Sequence, residues 1–538
     1  MRRGAHLGAG RTGVVVLVVA ALAQLGGSCG GGSGGGSRSV VSVESPDSRC
    51  VAQASLFPPG FAFVPGRDEL VWSADFAPPT LLPFDVSEEP PELPGRPTPA
   101  LIPFDSDGDG FDEVVLTPVP DDVEIPLPEL GLLTASGYEE VIFFDPATGE
   151  LVEFSVSVPV GFEKEDNPLL PDPGPGNAAL RTALSTFACV RPPAGALDSR
   201  GEPITASLPQ AGYCDRSQPS YLASFSSGAA LAGGRLFVSA SNLGDDAGSP
   251  EPQFLPGALL VYDLDLAAVP PTASPNPATP VIVTTAFNPS HVTAYSAGGR
   301  DFVLVSNSGA LGIEADDPAT GEIEGAGIAL TDAAIDVVDA DSLVLVATIP
   351  LGRAGLFFDR LAIDASGRVA AAGSAVARHI LAVDLAPLPG LPRRPAVPLV
   401  LDGSTGPNSV VFDADDPFQL PARANGAPAA SCPGFTAGVA WNAAGDRLYA
   451  TDYCDGTLAL LEVDLSGSPP VPVPSARFVF DDLLNVVAPL RSDTLGLPRQ
   501  PGALEVRPGR PGSDFSTADV FFLVGEPGLL CGIRIESP

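Results

Sequence analysis

Apolar and polar residues alternate along most of this chain in short runs, the period of two expected of strands whose two faces meet different surroundings. Segments of helical period are lacking outside the amino-terminal stretch. A turn, a basic or polar residue and then an alternating strand recur as "PGRDELVWSAD" (Pro65–Asp75), "GGRLFVSASN" (Gly233–Asn242), "GGRDFVLVSN" (Gly298–Asn307), "ASGRVAAAGS" (Ala365–Ser374) and "AGDRLYATDY" (Ala444–Tyr453). A second strand ending in Asp commonly follows: "ALLVYDLDL", "AAIDVVD", "HILAVDL" and "LALLEVDL", with "EVIFFDPATGE" (Glu140–Glu150) another of the kind. The last four copies begin at intervals of about 65 to 80 residues. Compact propeller blades take ~40–50, so loop insertions are implied. The 60 Pro and 59 Gly are spread throughout, as many short strands joined by turns and long loops require.

One four-stranded unit cannot bury both faces of its sheet alone, whereas units packed face to face around an axis can. The pattern predicts an all-β chain folded as a β-propeller with long loop insertions, of seven blades, six or eight being compatible. A row of β-sandwiches is the alternative. The repeats, "AAGDRLYATDYCDGTLALLEVDL" most fully, resemble those of YVTN-type and lactonase-like propellers from about Gly233 to Leu465. That resemblance implies a fold more than an activity.

The first residues change the compartment. Arg2, Arg3 and Arg11 precede the apolar run "VVVLVVAALAQL", too short to span a bilayer, and small residues follow up to Ser28. The segment reads as an export signal. Cys29 comes next, followed by "GGGSGGGS", so the segment resembles a bacterial lipoprotein signal, which implies that Cys29 is lipidated and the protein anchored to a membrane, the outer membrane first. Gly26 stands where such signals usually carry an aliphatic residue. Simple cleavage near Ser28, releasing a soluble protein, is the alternative. The expected organisation is a signal peptide over 1–28, a Gly/Ser-rich tether over 29–48 and the propeller over 49–538.

Without Cys29 six of the seven cysteines remain, an even number that suits disulfides in an oxidising compartment. Cys50 and Cys531 lie at the two ends, where a circular sheet must be fastened, and are expected to pair or to share the closing blade. Cys432 and Cys454 flank the turn "AAGD", and Cys189 and Cys214 are neighbours in sequence; both are expected pairs. No CxxC, CxxCH or Cys/His cluster offers zinc or c-type haem ligands. The net charge is −37, and cleavage before Cys29 removes three Arg and no acid. Such a polyanion repels nucleic acid.

Three local features bear on chemistry. "FDSDGDGFDEVVL" places Asp105, Asp107 and Asp109 at alternate positions before Gly110, with the Phe111 carbonyl and Glu113 downstream. These are the converging hard oxygens that Ca²⁺ prefers, and the loop resembles those of FG-GAP and VCBS-type propeller repeats. A structural Ca²⁺ is expected, a solvated acidic turn being the alternative. "NPSHVTAYSAGGRDFVLVSN" resembles the lactonase-type run whose histidine enters the innermost strand near the funnel, which makes His291 the one candidate catalytic residue, as general base. A hydrogen-bonded structural histidine is the alternative. With only His291 and His379 left after cleavage, metal hydrolases built on histidine clusters are not expected. "GGSGG" in the tether matches G-x-S-x-G without the strand and helix that motif needs.

The functional expectation is an extracytoplasmic propeller lipoprotein that binds or scaffolds a protein, glycan or small molecule, without an evident catalytic group set. A lactonase-like hydrolase and a calcium-dependent adhesin are the alternatives. Polar side chains converging on His291 would favour the enzyme.

Overall fold

The computed structural model describes residues 48–52, 60–76, 79–87, 98–99, 102–104, 114–116, 120–135, 140–156, 179–181, 183–186, 188–204, 219–243, 252–313, 327–356, 359–376, 379–401, 418–419, 436–442, 444–452, 457–464, 471–479, 501–507, 518–524 and 529–535. Among them there is no α-helix; a single 3-10 turn, Leu388–Gly390, interrupts the strands.

The repeats named above are second strands of sheets. Arg67–Phe76, Arg235–Ala240, Arg300–Asn307, Val369–Gly373 and Arg447–Asp452 each pair on one side with the strand before the turn and on the other with the strand after. The turns use glycine in the left-handed region, as at Gly234 and Gly299, with φ of 74° and 71°, a conformation that costs other residues about 1 kcal/mol or more. The Arg after the turn and the Asp closing the next strand meet across the sheet. Arg235 Nε lies 3.0 Å from Asp263, Arg300 Nη2 2.6 Å from Asp339, and Arg368 Nε 3.8 Å from Asp384. In these three copies the two polar marks of the repeat are thus one ion pair, whereas Arg67 pairs with Glu69 of its own strand at 3.0 Å.

Among the described residues, seven sheets of four or more strands follow one another. Their first strands are Phe61–Val64, Pro120–Leu127, Ser226–Ala232, Pro289–Ala297, Ala362–Ile363, Thr436–Trp441 and Pro501–Val506. These form a ring. The first four touch in succession, as do the last three, and Pro501–Val506 touches Phe61–Val64. Between the fourth and fifth sheets, Leu361 N donates to Thr293 Oγ1 at 3.1 Å and Tyr295 Oη to the Gly367 carbonyl at 2.7 Å. The last sheet is completed by the amino-terminal strand: Ser48–Ala52 lies antiparallel to Leu529–Ile535, outside the three strands from the carboxyl end. Closure of this kind protects an edge that would otherwise expose unpaired backbone groups, and a ring of radial sheets so closed is a β-propeller.

Apolar layers fill the spaces between sheets, and alternate residues of one strand serve opposite layers. Leu133, Ile142 and Phe144 pack toward the first sheet while Leu132, Val141 and Phe143 pack toward the third. Likewise Val303 and Val305 face the third sheet, Phe302 and Leu304 the fifth. Each such side chain contributes about 1.5–3 kcal/mol when fully buried. Because both faces are covered, middle strands such as Ala333–Asp339 are buried along their whole length, while the innermost strand Pro120–Leu127 keeps polar residues at alternate positions.

Candidate functional site

Pro120–Leu127, the innermost strand of the second sheet, carries Asp122 and Glu124 at alternate positions, while Val123 and Ile125 between them enter the layer toward the first sheet. Asp122 and Glu124 therefore share the other face. His291 stands near the start of Pro289–Ala297, two sheets on. It is 1% exposed, and its Nε2 lies 2.6 Å from Asp122 Oδ2 and 3.5 Å from Glu124 Oε1. Arg360, just before Ala362–Ile363, donates from Nη1 to Glu124 Oε2 at 3.3 Å and pairs through Nη2 with Glu505 of Pro501–Val506. Asp359 accepts from the Arg360 amide at 2.8 Å. Three innermost strands and the residues leading into a fourth thus bring six ionisable side chains to the centre of the ring.

Close backbone approach makes this possible. Gly228 lies on the intervening innermost strand, where a Cβ would come within 2.8 Å of His291 Cα, and a Cβ on Gly60 would come within 2.7 Å of Asp122 Oδ1. The contact at Gly228 is with backbone, so that position needs glycine, whereas a side chain at Gly60 would push the Asp122 carboxylate away from its place.

The electrostatics follow from burying four carboxylates beside one guanidinium and one imidazole. Burial, with the charge of Asp122 adding to it and Arg360 opposing, pushes the Glu124 pKa up to about 7. Burial similarly raises Asp359 to about 6, against the pull of Arg360 and His291. At His291 burial disfavours the imidazolium, yet the charge and hydrogen bond of Asp122, with Glu124 and Asp359 behind, outweigh it and hold the pKa above its ordinary value. The cluster therefore holds protons that can be exchanged near neutrality. His291 Nδ1 is buried and has no hydrogen-bond partner among the described residues.

A cavity of about 300 Å³ adjoins the cluster between the fifth, sixth and seventh sheets. Asp359, Arg360 and Glu505 belong to both, and Trp441, Asn442 and Arg507 complete its polar lining. The volume is at the small end of ligand pockets. Trp441 is anchored by its indole N–H to the Ala362 carbonyl at 3.0 Å, leaving its ring as a wall.

His291 is thus on an innermost strand among converging polar groups. Its Nε2 is already engaged by Asp122, so the general-base role expected of it is open only through the buried Nδ1. Asp122, Glu124, Asp359, Arg360 and Glu505 were not singled out from the sequence; the available signal was the Asp-x-Glu alternation in "PDDVEIPL". The donor atoms of Asp122, Glu124 and His291 all lie within 4.8 Å of one another, a mixed nitrogen and oxygen set able to hold a metal ion.

The remaining expected sites are distributed elsewhere. Asp105, Asp107, Asp109, Phe111 and Glu113 lie outside the described residues, between Ile102–Phe104 and Val114–Leu116, which pair with Phe104 opposite Val114. Cys29, Cys214, Cys432 and Cys454 also lie outside them. Cys50 stands directly opposite Cys531 in the closing pair of strands. Cys189 is disulfide-bonded. Around "AAGD" Trp441 faces Leu448 and Val439 faces Ala450, and a bulge then shifts the register so that Thr436 faces Asp452.

No family model matches the chain, and no curated protein does. Solved structures similar to it include hydrazine synthase of Kuenenia stuttgartiensis (TM-score 0.44, 10% identity, covering 90% of this chain and 97% of that one). The β-propeller domain of Cps50 (Swd1) from Myceliophteria thermophila has a TM-score of 0.38 and 11% identity, covering 90% and 98%. U3-55K has a TM-score of 0.43 and 8% identity, covering 91% and 98%. Overlaps this loose say nothing about chemistry; the propeller rests on the sheet order and the closed ring.

Proposed function

We propose that this is an exported, lipid-anchored propeller that binds a small polar molecule in its central funnel. The convergence of Asp122, Glu124, His291, Asp359, Arg360 and Glu505 from four separate sheets carries the reading. Burying charge is costly, and a ring that served only as a scaffold could fill its centre with apolar side chains at lower cost. The adjoining cavity supplies hydrogen-bonding groups and one aromatic wall, a lining suited to a hydroxylated ring of monosaccharide size. The lipid anchor at Cys29 would hold this site outside the cytoplasm.

Hydrolysis of a lactone or similar ester is the second reading, favoured by the juxtaposition of carboxylates, imidazole and guanidinium. Water would add to the carbonyl carbon with loss of a proton to the carboxylate cluster. Arg360 would face the developing oxyanion, and the proton would pass to the alkoxide as the ring C–O bond breaks. The processed full-length protein is to be tested with glucono-δ-lactone, δ-valerolactone and p-nitrophenyl acetate by thermal shift and by turnover. Saturable stabilisation by at least one probe, lost in His291→Ala, supports the funnel as a binding site, and turnover lost in the same variant supports hydrolysis. A wild-type protein that neither responds to nor converts any probe contradicts the second reading. Stabilisation indifferent to His291→Ala contradicts the first.

A further inference from the structure

We infer that Asp122, Glu124 and His291 form a binding site for one divalent transition-metal ion. The three side chains come from innermost strands of two different sheets, and the third strand between them is glycine at the crossing point, Gly228. A structural histidine needs one hydrogen-bond partner; His291 has two carboxylates facing the same nitrogen, at 2.6 and 3.5 Å. Ligand atoms around one ion bound at ~2.1 Å stand roughly 3.0–3.4 Å apart in octahedral or tetrahedral shells. The two separations to His291 bracket that range and all three ligand atoms lie within 4.8 Å of one another, so an ion taking the place of the shared proton requires the two carboxylates to close around it without any rearrangement of the strands.

Charge balance points the same way. Asp122, Glu124, Asp359 and Glu505 surround one guanidinium, Arg360, so the neighbourhood is short of positive charge even when His291 is protonated. A divalent ion supplies what is missing. Arg360 and Glu505 would then act around the site, Arg360 fixing the free oxygen of Glu124, which is the way outer partners orient metal ligands. One imidazole and two carboxylates select Zn²⁺ or Mn²⁺ over Ca²⁺, which takes six to eight oxygens. Three protein ligands also leave coordination positions open, as catalytic sites do. The site thus differs in donor set and place from the acidic loop at Asp105–Glu113. It does not depend on the protein being a hydrolase, since the ion is measured directly.

The test is calorimetric titration of chelator-treated, full-length processed protein with Zn²⁺ and with Mn²⁺, together with pulsed electron paramagnetic resonance of the Mn²⁺ form. One ion per chain should bind, and Asp122→Asn, Glu124→Gln and His291→Gln should each weaken it at least tenfold, whereas Asp107→Ala should leave it unchanged. Because a funnel variant could fail to fold, the wild-type spectrum is the second arm: it should show coupling to one imidazole nitrogen. Absence of binding by either ion, binding without nitrogen coupling, or affinity unaltered in folded His291→Gln would overturn the inference. Lactone turnover without metal binding would overturn it while leaving the funnel reading intact.

Discussion

The outer hairpins of the sheets and their innermost strands are built from the same β geometry, yet their charges do opposite things. In three of the hairpins the Arg meets an Asp of its own sheet, and that pair recurs from the third sheet to the fifth. In the innermost strands the charged residues differ from sheet to sheet and meet residues of other sheets, His291 with Asp122 at a separation of 169 positions. The periodic part builds the sheets, and the aperiodic part supplies the candidate site. The same contrast appears between two hairpin pairs. Arg300 and Asp339 are buried, with further bonds from Arg300 to the Pro389 and Leu391 carbonyls and its guanidinium 4.8 Å from the Phe302 ring centre. Arg235 and Asp263 keep 27% and 41% of their side chains exposed.

The largest expected effect concerns the closure that lets the inner strands form a ring at all. Opposed residues of an antiparallel pair have Cα atoms ~4.5–5.5 Å apart, within the span of a disulfide, so Cys50 and Cys531 are expected to be linked. The loop closed is nearly the whole chain, and Cys50→Ser should cost on the order of 4 kcal/mol, read as a lower melting temperature that reductant also produces in the wild type. Free thiols at both positions in the native protein would refute the clasp.

Next comes the buried hairpin pair. Arg300→Met should cost about 3 kcal/mol, because it strands the Asp339 carboxylate in the interior, whereas Arg235→Met should cost less than about 1 kcal/mol. Burial works to raise the Asp339 pKa, but the bonds from Arg300 and Ser342 prevail and hold it below its ordinary value. A depressed carboxylate stabilises the fold above its unfolded pKa, near ~4, and that contribution is lost as pH falls through the folded value. Denaturant unfolding at neutral and acid pH checks both statements: the gap between wild type and Arg300→Met should narrow in acid. Equal costs for the two Arg variants would erase the distinction between the pairs.

Smaller and conditional is the acidic loop. If Asp105, Asp107, Asp109, Glu113 and the Phe111 carbonyl hold Ca²⁺, a hundredfold excess over Kd stabilises the chain by about 2.7 kcal/mol. Scanning calorimetry with and without chelator should show this rise in wild type and not in Asp107→Ala. A melting temperature indifferent to calcium in the wild type would reduce the motif to an acidic turn.

The sheets were legible because the repeat combines a glycine turn, an Arg and a terminal Asp, three marks whose physical causes stay in one hairpin. The end-to-end closure was legible too, since a circular sheet must join its termini and Cys50 and Cys531 sit there. Most of the site was not. Glu505 in "PGALEV" and Arg360 in "FFDRLAID" are ordinary strand residues in sequence; only the ring brings them together. His291 was found through a resemblance, and Asp122 and Glu124 could have been found through their alternation. Nothing local says which sheets face which across the centre.

The claim that function resides in the aperiodic inner strands is tested most directly by one paired measurement: binding and turnover of the same lactone and ester probes by Arg360→Ala and by Arg235→Met. The account predicts that the funnel variant loses at least a hundredfold in the response shown by wild type, while the hairpin variant keeps it. Retention of the full response by folded Arg360→Ala, or an equal loss in both variants, would contradict it.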